Sequence, residues 1–173
     1  MGTLLVGVTR VRLGLRPPRL WTGLRTGSAA GAVAVTAIAA TTLLPPVRAS
    51  MATREVPASA PGWLLLRIPV GTVWAEETAF RAALAGAASR AFGPSRGNLL
   101  QATAFGLSHI ADARSTGEPI LPTVLVTGVA GWLFGWLAQR SGSVVAPMLA
   151  HLAINEAGAV GALTVQRPSG GRR

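Results

Sequence analysis

The chain has 173 residues, enough for one domain, and half of them are hydrophobic while only 13% are charged, a balance that favours a membrane protein. Its sixteen basic residues are all arginine and leave a net charge of +10, but they flank apolar runs instead of clustering beside stacking aromatics, which excludes nucleic acid as the expected partner. The absence of cysteine removes disulfides, thiolate metal sites and thiol nucleophiles, so any chemistry must come from Glu, Asp, His, Asn, Ser or Thr.

Residues 1–25 form a basic N-terminal segment carrying Arg10, Arg12, Arg16, Arg19 and Arg25. Residues 26–47 follow without a charge, long enough to cross a hydrocarbon core of roughly 30 Å, and Pro45 and Pro46 close this predicted transmembrane helix. Residues 48–61 read as a polar, proline-containing linker. Pro119 to Gln139 is a second uncharged span, closed by Arg140, and its Gly128, Gly131 and Gly135 permit close approach of a neighbouring helix.

Three further apolar segments carry polar residues: Trp63 to Ser89, Asn98 to Ala111, and Val144 to Val165. They are too polar to face lipid all round. The expected fold is therefore all-α, a polytopic transmembrane bundle of about five membrane helices in which the two clean spans shield the three polar ones. Residues 166–173 read as a disordered tail.

An ionisable residue within a membrane helix costs about 2.5 to 3.5 kcal/mol even on lenient insertion scales, so each one is a candidate for function. In "WAEETAFRAAL", Glu77 and Arg81 are four residues apart and can pair on one helical face, while Glu76 is turned about 100° away. That leaves Glu76 free to serve as a general base. In "AFGLSHIAD", Phe105 lies one turn before His109 and can pack against its imidazole. In "APMLAHLAINEAG", His151 and Asn155 are likewise one turn apart, and two donors converging on one point make an oxyanion hole.

"EETAFR", "FGLSH" and "HLAIN" resemble, in order, the EExxxR, FxxxH and HxxxN signatures of the CAAX protease and bacteriocin-processing (CPBP, or Abi) family of intramembrane proteases. The resemblance marks residues 62–165 as a protease core. It implies a helical membrane fold and hydrolysis of peptide bonds next to the membrane, with lipid and a peptide or protein substrate as partners and the bacterial cytoplasmic membrane as the location. It also implies that Glu76 with His109 activates water, that His151 with Asn155 stabilises the oxyanion, and that Glu77, Arg81 and Phe105 support the site. No cofactor is required in that reading. The family's older description as metal-dependent leaves zinc as an alternative, with Glu76, His109 and His151 as ligands. A non-catalytic scaffold or immunity factor of the same fold is the alternative outside enzymology.

Overall fold

The computed structural model describes residues 13–167, and every regular element among them is helical. Seven helical elements follow in order: α1 Arg19–Thr41, α2 Pro45–Thr53, α3 over 60–92, α4 Pro94–Ser108, α5 Ile110–Thr116, α6 Ile120–Ser141 and α7 Val145–Gln166. The long elements α1, α3, α4, α6 and α7 build an all-α membrane bundle. By length and hydropathy α6 and α7 can each cross a membrane alone, whereas α1 qualifies only together with α2, from which it is bent by 96°.

The distribution of polarity is that of a protein dissolved in lipid. Leu65, Leu66, Leu121, Val126, Val129 and Trp136 point outward, while Glu77, Thr78, Arg81, Asn98, Gln101 and His151 are buried. Hydrocarbon neither hydrates nor hydrogen-bonds a polar group, so polar side chains gain by meeting inside the bundle.

Two boundaries differ from the sequence expectation. The helix expected over 26–47 runs instead from Arg19 to Thr41, and Pro45–Thr53 forms a separate helix that takes in the end of that expected span and the start of the linker expected over 48–61. Charge was a poor marker of the α1 start, because Arg25 sits within the helix with its side chain exposed and a long arginine can reach the membrane surface from there. The early start matters for packing: Gly23, Gly27 and Gly31 form a stripe that lies on α7. A Cβ at Gly27 would stand 2.7 Å from the carbonyl oxygen of Ala146, so only glycine allows this contact. The stripe pairs the start of α1 with the start of α7, and the two helices run parallel.

Helix α3 is one continuous helical run with wide, π-type turns over Trp63–Trp74 and Glu77–Leu84. Pro69 lies inside the first of these and has no N–H to give to an α-helical bond. Such turns are concentrated at functional sites in proteins generally, and here they flank Glu76.

Helices α4 and α6 are held by amides that the sequence reading did not single out. Gln101 donates to the carbonyl of Gly131 at 2.9 Å, and Asn98 donates to that of Trp132 at 3.2 Å. The absent side chain of Gly135 makes room for both amides, since a Cβ there would overlap Asn98. This clamp fixes Phe105, one turn beyond Gln101, against Gly131 at the centre of the bundle. The expected tail begins at Gln166, still helical, and residues 168–173 lie outside the described residues, as do residues 1–12 of the basic N-terminal segment.

Candidate functional site

The buried Glu77 of α3 joins two elements. Its Oε2 lies 3.3 Å from Arg81 Nε, the expected pair one turn apart, and both side chains are fully buried. Its Oε1 lies 2.8 Å from His151 Nδ1 of α7. The helical spacing pairs Glu77 with Arg81 alone, so this second contact goes beyond it. No spacing rule could have found it, because the partners are 74 residues apart.

Aromatic rings line the rest of this polar core. The Arg81 guanidinium lies 4.0 Å from the centroid of Phe105 and 5.0 Å from that of Phe134, a cation–π arrangement that offsets part of its desolvation. Phe134 stacks on the His151 imidazole at 4.8 Å with an interplanar angle of 23°. Phe105 meets His109 edge-on at 4.7 Å, as the one-turn spacing suggested, and its ring is 6.1 Å from that of His151. Phe105 therefore contacts both imidazoles.

His109 lies at the end of its helix, just before the expected limit at Ala111. It sits at the junction between α4 and α5, and its Nδ1 lies 2.8 Å from the Phe105 carbonyl. A carbonyl only accepts, so Nδ1 carries a proton and any lone pair on the ring is at Nε2. The same reasoning applies to His151, whose Nδ1 donates to the Glu77 carboxylate. Its Nε2 faces Glu76 Oε2 at 3.9 Å, longer than a hydrogen bond.

Glu76 is the accessible carboxylate of the pair, with 28% of its side chain exposed against none for Glu77. It lies within Coulombic range of both His151 and His109. Asn155 follows His151 by one turn on α7 and is half-buried, with no hydrogen bond from its side chain to another described residue. Glu76, His151 and Asn155 thus carry unused polar capacity beside a rigid, fully buried support.

A metal needs several ligand atoms within reach of one point. Among the described residues no three His, Cys, Asp or Glu side chains are so arranged, and Glu76, His109 and His151 do not form a ready ligand set. Two surface cavities, one along α4 and one beside Arg81, are not lined by Glu76, His109, His151 or Asn155.

Comparison with known proteins identifies the family. Residues 58–157, more than half of the chain, match the family described as type II CAAX prenyl endopeptidase Rce1-like. No curated protein and no solved structure matches the chain. The matched segment contains Glu76, Glu77, Arg81, His109, His151 and Asn155, and the chain belongs to the Rce1-like family of CAAX-type membrane endopeptidases.

Proposed function

We propose that the chain hydrolyses a peptide bond at the membrane with water activated by Glu76 and His109 and an oxyanion site formed by His151 and Asn155. The observation that carries this reading is the buried Arg81–Glu77–His151 arrangement, which ends 3.9 Å from Glu76. A charge so expensive to bury is retained where it orients a reacting group.

Each residue has a definable task. Glu76 accepts a proton from water while the free Nε2 of His109 holds that water by a hydrogen bond. The oxygen attacks the carbonyl carbon, a C–O bond forms, and the carbonyl electron pair moves onto oxygen. His151 can donate from Nε2 only when doubly protonated, and the Glu77 carboxylate at its Nδ1 balances the resulting charge. Asn155 supplies the second donor. The proton held by Glu76 then passes to the leaving nitrogen as the C–N bond breaks, and two products with a new carboxyl and a new amine result. This chemistry needs no metal-bound step.

The substrate in this reading is a peptide segment presented at the membrane, and the membrane is the bacterial cytoplasmic one. The chain reconstituted into lipid vesicles should cleave a membrane-tethered peptide, and parallel assays of prenylated and unprenylated peptides ask whether the prenyl group is required. His109→Ala and His151→Ala should each abolish product while the protein elutes as a folded species; full cleavage by both would remove the proposed chemistry. A cellular phenotype that survives both substitutions would favour the non-catalytic scaffold.

A further inference from the structure

The wide turns of α3 decide which of its residues share a face. In a regular α-helix, positions nine apart point in opposite directions, because nine steps of about 100° make two and a half turns. Along α3 the buried positions are instead Ile68, Val73 and Glu77, five and four residues apart, the repeat of a helix wound with π-type turns. The residues just before them, Arg67, Thr72 and Glu76, therefore stand on one common flank.

This row is polar on a helix whose outward side chains Leu65, Leu66, Val70 and Trp74 are apolar. Exposure falls along it, from the exposed Arg67 through the half-buried Thr72 to Glu76, with 28% of its side chain exposed. A polar row is costly against lipid and suits an approach that water can enter. Its outer members are not satisfied within the described residues. The ion pairs there belong to Glu76 and Glu77, with none to Arg67. The Thr72 hydroxyl makes no hydrogen bond, unlike that of Thr78, which donates to the Trp74 carbonyl at 2.7 Å.

Helix α7 continues the same path. His151, Asn155 and Gly158 are four and three residues apart and share a face, and that face meets the polar row where His151 lies 3.9 Å from Glu76. Ile68, Val73 and Ala159 form one apolar cluster with Leu152 packed against it, so the stretch from Glu76 back to Arg67 lies along the stretch from His151 on to Gly158. A Cβ at Gly158 would meet no atom within 4 Å, and beside Gly71 of α3 only the Arg67 stem comes that close. The two glycines leave a groove open.

We propose that this groove binds an extended peptide and that Arg67 selects an acidic side chain on it. Nine residues of helix span at most about 14 Å at 1.5 Å each, so the selected residue lies about four residues from the peptide bond at Glu76, at roughly 3.3 Å per extended residue. A guanidinium forks onto a carboxylate through two charge-assisted hydrogen bonds, which lysine would not reproduce. The inference deepens the peptidase reading and rests on it for the peptide as occupant.

The test measures binding apart from cleavage. Glu76→Gln, which cannot act as a base, is placed in phosphatidylcholine nanodiscs, where no anionic lipid competes for Arg67, and a fluorescent peptide with blocked termini is followed by anisotropy. A series moves one aspartate, or asparagine in its place, along the peptide. At one position aspartate should bind about tenfold tighter than asparagine, the effect of one charge-assisted pair. Adding Arg67→Gln should remove that difference, and Arg67→Glu should transfer it to lysine at the same position, a gain that misfolding cannot imitate. Arg48→Gln, at an exposed arginine of α2, should leave it unchanged. No binding, or equal binding of the aspartate and asparagine peptides at every position, as for an arginine that only anchors α3 at the membrane surface, overturns the proposal; so does a preference that survives Arg67→Gln. The preference found without any cleavage by the wild type would keep the groove and remove the peptidase reading.

Discussion

Replacing Glu77 by alanine should damage the fold, while replacing its neighbour Glu76 by glutamine should not. Glu77 is fully buried and contacts Arg81 at 3.3 Å and His151 at 2.8 Å. Its removal leaves a guanidinium with no exposed side-chain surface beside a vacancy and without its counter-ion. Breaking a buried pair in this way costs about 3–5 kcal/mol, a large share of the roughly 5–15 kcal/mol that holds a domain folded. Glu76 has 28% of its side chain exposed and its ion-pair contact is 3.9 Å, so the isosteric Glu76→Gln should change stability by less than about 1 kcal/mol. Equilibrium unfolding of both variants in mixed detergent micelles measures the difference. Equal stabilities would refute the assignment of Glu77 as the structural support, whatever either variant does to activity.

Further predictions concern packing and chemistry. Gly27→Leu should push α1 off α7 and lower stability by at least about 1–3 kcal/mol, because the new side chain meets the Ala146 carbonyl; Gly158→Ala, facing open space on α7, should be neutral or slightly stabilising in the same unfolding assay. Asn155→Ala should lower kcat by roughly 10²–10³-fold with KM little changed, as expected for a donor that acts on the oxyanion, and a pure rise in KM would assign Asn155 to substrate binding instead. Dialysis against a strong chelator should leave peptide cleavage intact; loss of cleavage that added zinc restores would bring the metal back into the mechanism.

The parts of the site that lie within one helical turn were readable in the sequence. The Glu77–Arg81 pair and the Phe105–His109 contact follow from a spacing of four residues. The Glu77–His151 bond joins α3 to α7 and depends on how those helices pack, which no local pattern encodes. His109 was expected near the limit of its helix, and α4 stops at Ser108 with the imidazole bonded back to the Phe105 carbonyl. Hydropathy located α6 well, because the uncharged span Pro119 to Gln139 ends within two residues of the helix limits. It misjudged α1, where arginines that extend to the surface hid the first turns and with them the glycine at position 23.

The division between the two adjacent glutamates also changed in content. Glu77 does more than neutralise Arg81, since it fixes the tautomer of His151 and faces that ring with negative charge. Glu76 keeps the exposure and free capacity that a base requires.

The most direct measurement is the single-turnover cleavage rate of a membrane-tethered peptide by folded wild type, Glu76→Gln and Glu76→Asp in the same vesicles. If Glu76 is the base, the glutamine variant loses cleavage by about 10² to 10⁴-fold, the usual contribution of a positioned base, and the aspartate variant retains part of the rate. A wild-type rate in folded Glu76→Gln would contradict the mechanism.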